Sequence, residues 1–517
     1  MKRLLALVPE KYAWTLAIAG AHATIACVLA ATLNVWVDEG YSLDTTGRTI
    51  SYAWRQAIHF ESQPPGYFVL VTAWRQICDS VFFARLLSIV CTTASILAAA
   101  LISEKSLGDR VRPFVLPLLV AAQPLTMFVA VEMRRYALAL FLTCGLLICF
   151  DKAFPRTGKA SVYWRAAYSL AALACLYTEY FSGFILAAQS VLLIFRRRLS
   201  DLGIQLTSLA FVAVLFAPLA LDVVSQIHTY ETLEPSSMGQ IAIIRRFASY
   251  SLDTLLSTLW FGRWNGAAKL LMMAAAALCI VKVGRSGAAG KPGLPPIGPL
   301  IVAAVLGACL MLASTVSAPA FLHPKHFIVV LVPWNLALLS ALTAFGRRLA
   351  ALALTGVVAL NCLAGLHEFG HLAKRGDSRR IARFIERNER PGEPIIVFNA
   401  EAALGIRHHY RGMNRIVVVP RPVDYRKYDL RRFILRDESE FWASLDGTHD
   451  DSHFCWVVTD SCTDPESGTC RVGDINFNCT LFEDILNRRF IQLGDVEFFQ
   501  GRVRHFRRSD TEFPDAD

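Results

Sequence analysis

The chain has 517 residues, 54% hydrophobic and 18% charged, with a mean hydropathy of +0.41. Soluble domains carry about a quarter charged residues, which excludes an ordinary soluble enzyme of this size. Of the 52 basic and 42 acidic side chains, 23 and 25 follow residue 370, leaving a net +12 in the apolar part, so a nucleic-acid binder with its excess charge in one patch is excluded as well.

A helix crosses a hydrocarbon core of about 30 Å with roughly 20 apolar residues. Runs of that kind fall near 13–33, 82–102, 112–131, 136–151, 163–180, 181–195, 203–221, 267–283, 298–317, 327–346 and 349–366, about 11 predicted spans. Alternate turns are basic: Lys2, Arg3 and Lys11; Lys105, Arg110 and Arg112; Lys152, Arg156, Lys159 and Arg165; Arg196 to Arg198; Lys282, Arg285 and Lys291; Arg347 and Arg348. Basic loops stay inside, which puts the N-terminus in the cytoplasm. An odd span count then puts residues 370–517 outside. The first span is too long for a signal-peptide core and reads as a signal-anchor. The long outer loops 34–81 and 222–266 hold Trp36, Trp54, Trp74, Trp260 and Trp264, which favour the headgroup zone and predict short interfacial helices. Residues 284–298 read as a cytoplasmic loop.

The tail changes character. DSRRIARFIERNER (377–390) has helical apolar spacing and stops at Pro391-Gly392. EPIIVFNA, NRIVVVP and SHFCWVVTD are β-branched runs bounded by turn residues, hence strands. With helical segments around 401–411 and 480–489 they predict a small α/β domain. Cys455, Cys462, Cys470 and Cys479 all fall there. In an oxidising space they imply one or two disulfides among three full pairings, Cys462–Cys470 being favoured across the CTDPESGTC loop. Zinc ligation is the lesser alternative, because CxxC pairs are absent. The other nine cysteines sit in or beside apolar segments, as small buried hydrophobes do.

Ionisable groups flush with a membrane are costly and usually functional. Here they gather at one face. WVDEGYSL follows the first span with Asp38 and Glu39, and HFESQPPGYF brings His59, Glu61, Gln63 and Pro64-Pro65. VEMRRYAL after the third span holds Glu132, Arg134, Arg135 and Tyr136; YTEYF after the fifth holds Tyr177, Glu179 and Tyr180; FLHPKHF after the ninth holds His323, Lys325 and His326. Taken singly, an acidic pair outside a span is often solvated, arginines there often snorkel, and Glu179 can serve as a structural partner for an arginine. Together they predict a site where a carboxylate such as Asp38 takes a proton from a hydroxyl while Arg134 and Lys325 hold a phosphate.

These residues resemble the GT-C glycosyltransferases of the bacterial family 39 type, the group of protein O-mannosyltransferases and lipid A aminoarabinose transferases. DEGYS (Asp38, Glu39) resembles the family's catalytic-loop motif. SQPPGYF followed by FFARLLS, with Arg85, resembles its QPP…RL stretch. EMRRY resembles its E-A-R-x-Y signature at Glu132, Arg134 and Tyr136, and PKHFIVVLVP resembles the start of a late span with Lys325 and His326 in place of Arg and Tyr. The likeness covers about residues 30–340. It departs where Gln63 and Ser62 replace the lysine and acid of an acidic-Lys-Pro-Pro element, with Glu61 one position away, and where Glu179 replaces a common His.

The resemblance implies a polytopic α-helical membrane body (1–369) with an exported α/β domain (370–517). It implies inverting transfer of a sugar from a polyprenyl-phosphate donor to a lipid, glycan or protein hydroxyl at the outer face of a bacterial inner membrane. Asp38 is then the general base or its orienting partner, Glu39 binds or positions the acceptor, and Arg134 and Lys325 hold the donor phosphate. Glu132, Tyr136, His326, Gln63, His59, Glu61, Arg85, Tyr177 and Glu179 line the substrate site. No cofactor is required and no divalent cation is indicated. The alternative from another class is a non-enzymatic transporter or flippase of lipid-linked sugars, which favours a midplane site; the alternative among enzymes is an oligosaccharide ligase with a diphosphate-linked donor.

Overall fold

In a computed structural model of the chain, the structure describes residues 10–108, 111–155, 161–233, 241, 245, 324–342, 347–445, 453–460, 470–472 and 475–509. Predicted spans 267–283 and 298–317, most of loop 222–266 and Cys462 lie outside them.

The body is helical. Helix α1 (Ala13–Thr32) is 20 residues without an Asp, Glu, Lys or Arg, about 30 Å of apolar rod. The first long loop folds into three ten-residue helices, α2 (Val37–Thr46), α3 (Ile50–His59) and α4 (Gly66–Arg75). Next come α5 (Val81–Leu107), α6 (Val115–Ala122), α7 (Pro124–Ala130), α8 (Tyr136–Ala153), α9 (Val162–Leu176), α10 (Ser182–Phe195) and α11 (Leu199–Leu233). A 3-10 stretch (Pro324–Val330) leads into α12 (Leu331–Leu342), and α13 (Arg347–Phe369) completes the body. Five of the described helices are long and apolar enough to cross a membrane, and three shorter apolar helices accompany them. This is an integral membrane protein.

The single span expected over 112–131 is in fact two helices. Pro124 has no amide hydrogen and disfavours the helical region for the residue before it; Gln123 is accordingly extended at ψ 123°. Its side-chain oxygen accepts from Asn361 of α13 at 3.2 Å, which braces the break.

A mixed sheet domain follows. Helix α14 (Ser378–Asn388) buries Ile381, Ala382 and Ile385 and keeps its charged residues outward, as its spacing predicts. The sheet has strand order β2-β1-β3-β7-β6, from β1 (Ile395–Phe398), β2 (Ile416–Val419), β3 (Phe454–Asp460), β6 (Phe490–Phe498) and β7 (Gly501–Arg508). Strand β1 lies parallel to β2 and β3, whereas β7 pairs antiparallel with β3 and β6. The β1–β2 crossover is α15 (Ala400–His409), whose first amides are capped by the Asn399 side chain. Helices α16 (Glu438–Leu445) and α17 (Cys479–Arg489) and a small ladder of β4 (Arg471–Val472) and β5 (Ile475–Asn476) complete it. Every residue of β1 is buried, as a strand covered on both faces must be. Phe398 stacks on Phe482 at 4.3 Å, and each fully buried side chain of this size contributes about 1.5–3 kcal/mol.

The disulfide differs from the favoured pairing. It joins Cys470 to Cys479, closing the β4–β5 ladder onto the start of α17, and Cys455 is a buried thiol inside β3. Strand β3 commits Cys455 to the sheet core, while the ladder turns the chain back so that Cys470 meets the first residue of α17.

Candidate functional site

Helix α1 ends at Thr32, and Leu33 to Trp36 run extended before α2 begins. Asp38 and Glu39 thus sit in the first turn of α2, where carboxylates complement the helix dipole. Consecutive helical residues point about 100° apart, so the two acids diverge.

Glu39 turns into the protein and is 0% exposed. Arg85 at the start of α5 grips both its oxygens, at 2.8 and 2.7 Å. The amide of Met133 donates to it at 3.1 Å, and Lys374 lies 3.0 Å away. Burial pushes its pKa up, but Arg85 and Lys374 outweigh it and hold the carboxyl at about 2. The same guanidinium donates to the carbonyls of Ala30, Leu33 and Asn34, the unsatisfied end of α1. Arg85 therefore ties the DEGYS segment to the span before it.

Asp38 turns the other way. Its side chain is 27% exposed and lies 3.5 Å from Arg134 and 3.5 Å from Lys325. Arg134 donates to Glu61 at 2.6 Å and to Ser42 at 3.1 Å, and Glu61 also accepts from Thr45. Burial pushes the Glu61 carboxyl up, against the pull of Arg134. The Lys325 ammonium sits over Trp36 at 4.3 Å and Phe128 at 4.9 Å, with Glu132 at 3.7 Å. Neither carboxylate oxygen of Glu132 has a hydrogen-bond partner among the described residues. Three carboxylates and two cations from four separate segments thus meet at the end of the bundle where α1 stops.

The neighbouring arginine makes a second cluster. Arg135 donates to Glu179 at 2.8 Å, and His326 lies 3.2 Å from the same oxygen with its ring stacked on Phe181 at 4.5 Å. Glu179 and His326 therefore brace the turn after α9 against the stretch that carries Lys325. Tyr136 is buried beside both clusters, 5.2 Å from the Arg135 guanidinium and 5.9 Å from the Lys325 ammonium.

The remaining predicted residues stand apart. Tyr177 donates to the Leu215 carbonyl, and its own carbonyl accepts from Gly66 at 2.8 Å. A Cβ at Gly66 would lie 2.6 Å from that oxygen, which is why the double proline must be followed by glycine. Gln63 is buried, and its side-chain oxygen has no hydrogen-bond partner among the described residues. His59 is exposed and lines a groove with Arg48, Tyr52, Arg55, Gln56 and the loop 424–426. Among the described residues, no group of three His, Cys, Asp or Glu side chains gathers in a metal-binding set.

Two contributors come from beyond α13 and carry no local sequence signal. One is Lys374. The other is Glu401 in the first turn of α15, whose carboxylate accepts from Tyr41 of α2 at 2.7 Å. Burial pushes Glu401 up to about 7, with Asp460 and Asp38 adding to the rise and Tyr41 opposing it. A carboxyl raised above its usual 4.5 binds more protons folded than unfolded between those values. Its contribution to stability is therefore full below about pH 4.5 and is lost as pH rises through about 7. Glu401→Gln is expected to flatten that part of the pH dependence of Tm. A melting profile as steep between about pH 5 and 7 as the wild type's would refute the assignment.

The helical body and the sheet domain are similar to two solved structures of one protein. The first is ArnT from Cupriavidus metallidurans in the apo state, at TM-score 0.51 and 12% identity over 95% of this chain and 97% of that one. The second is ArnT from Cupriavidus metallidurans bound to undecaprenyl phosphate, at TM-score 0.50 and 14% identity over 96% and 98%. No protein-family model and no curated protein matches the chain. The chain has the ArnT-like GT-C fold, a polytopic helical membrane body carrying a C-terminal mixed-sheet domain.

Proposed function

We propose that the protein is an inverting glycosyltransferase that moves a sugar from a polyprenyl-phosphate donor to an acceptor hydroxyl at the outer face of a bacterial inner membrane. The observation that carries this reading is the partly exposed Asp38 carboxylate held between Arg134 and Lys325 at the end of an apolar bundle. The similarity in fold to a structure holding undecaprenyl phosphate supports it.

Asp38 pairs with both cations. An incoming phosphate competes for them, Arg134 offering a planar fork and Lys325 a point charge. The displaced Asp38 is then released to take the proton from an acceptor hydroxyl as that oxygen attacks the anomeric carbon. The bond to the phosphate oxygen breaks, and the two cations stabilise the departing polyprenyl phosphate. Glu39 is spent on Arg85 and Lys374, so in this reading it positions the loop and does not touch the acceptor.

The test is transfer of labelled sugar from purified polyprenyl-phosphate donors, with and without a chelator, across lipid, glycan and peptide acceptors. Transfer that survives chelation is expected, because the phosphate cations are side chains. Uptake of intact lipid-linked sugar without release of polyprenyl phosphate would replace the reading with a flippase.

The topology belongs to the same proposal: residues 370–517 lie outside the cytoplasm. A membrane-impermeant thiol reagent applied to intact cells is expected to reach Cys470 and Cys479 only after reduction. Labelling that requires lysis would place the domain inside. The nine-residue separation these cysteines close restricts the unfolded chain by about 2–3 kcal/mol.

A further inference from the structure

The C-terminal domain is joined to the body by the short segment between α13 and α14, and that segment does more than connect. Its Lys374 is buried, and its ammonium donates to the carbonyl of Val131 at 2.9 Å while lying 3.0 Å from Glu39. Its backbone amide donates to the Asn34 side chain at 2.6 Å. Val131 caps α7 and stands three residues before Arg134; Glu39 stands next to Asp38. One ammonium therefore bridges the two segments that present the carboxylate and the guanidinium of the site.

A carboxylate has about four acceptor positions. On Glu39, Arg85 takes two, the Met133 amide a third and Lys374 the fourth. Without Lys374 one buried oxygen loses a donor, and the α2 turn loses its tie to residues 131–134. The contacts around it hold the same turn from both sides. Ser378 donates to the carbonyl of Val35 at 3.0 Å, and the amide of Val35 donates to His409 at 2.9 Å. Beyond Asp38, a Cβ on Gly40 would lie 2.8 Å from that of Leu404, so glycine alone lets α15 close on α2.

We propose that Lys374 is a positioning residue of the transfer site, and that docking of the C-terminal domain through it sets the geometry between Asp38 and Arg134. The proposal rests on the glycosyl-transfer reading above. Lys374 touches no reacting atom. It sets where two groups that do the chemistry stand, and a displacement of about 1 Å in such groups is enough to cost 10²-fold.

The experiment uses the full chain in lipid nanodiscs, with steady-state transfer from a polyprenyl-phosphate sugar and separate binding of polyprenyl phosphate. Lys374→Met is expected to lower kcat at least about tenfold while donor binding stays within about threefold, because Arg134 and Lys325 remain. Lys374→Arg, which keeps the charge and two donors, is expected to recover a third or more of kcat. Wild-type kcat in Lys374→Met, or an equal loss of donor binding, overturns the proposal. If Lys374→Met does not accumulate as folded protein, Lys374→Gln is judged by the same criteria; failure of both to fold also overturns it, in favour of a purely structural lysine. A wild-type chain that transfers no sugar fails the functional reading instead, and that result is separate from any of these.

Discussion

Asp38→Asn is expected to reduce transfer by about 10²–10⁴, the range a general base supplies, while the protein inserts and melts as the wild type does. Asparagine preserves the shape and a hydrogen-bonding oxygen, so Arg134 and Lys325 keep a neighbour at the 3.5 Å positions. What is lost is the ability to accept a proton. The substitution also removes the negative charge that competes with the donor phosphate, so donor KM is expected to stay level or fall while kcat collapses. That split distinguishes a base from a binding group, whose loss raises KM. Retention of more than about a tenth of wild-type turnover would end the general-base assignment.

The fold was legible in proportion to how local its causes are. Nine of the predicted spans meet described helices because about 20 uncharged residues leave few alternatives. The one that splits does so at Pro124, visible in the sequence yet silent about whether it kinks a helix or breaks it. Strands β1, β2 and β3 announce themselves as β-branched runs. Strand β7, GRVRHFRR, has no such run, and it is the pairing with β3 that carries Val503 and Phe506 into buried positions. The disulfide departs from the favoured pairing because loop length alone cannot show that the β4–β5 ladder turns Cys470 back onto Cys479.

At the candidate site the motif segments come together in space, but the motifs do not divide the labour within them. Asp38 and Glu39 are adjacent in sequence and separated in direction by the helical turn, and Arg134 and Arg135 by the turn that leads into α8. One member of each pair joins the cluster of Asp38, Arg134 and Lys325, and the other is spent on Arg85 and Lys374, or on Glu179 and His326. Glu61, weak in the sequence, gains its place as the partner of Arg134. Lys374 and Glu401 have no motif around them. They stand 243 and 360 residues from the partners they meet, brought there by the docking of α14 and α15.

Arg134→Ala is expected to cost the most of any single substitution, through two separable effects. It leaves Glu61 buried without its guanidinium, and breaking a buried ion pair on one side costs about 3–5 kcal/mol of stability. It also removes a phosphate donor, worth about 10²–10³ in rate when such a group acts on the developing charge. Adding Glu61→Gln separates them. With the orphaned charge gone, the double variant is expected to regain most of the lost Tm and none of the lost kcat. Arg134→Lys is expected to sit between wild type and alanine, because one ammonium cannot serve Glu61, Ser42 and a phosphate from a single fork. Recovery of activity together with stability in the double variant would make Arg134 a scaffold for Glu61 alone. A donor-bound structure with the phosphate beyond hydrogen-bond reach of both Arg134 and Lys325 would dismantle the phosphate site altogether.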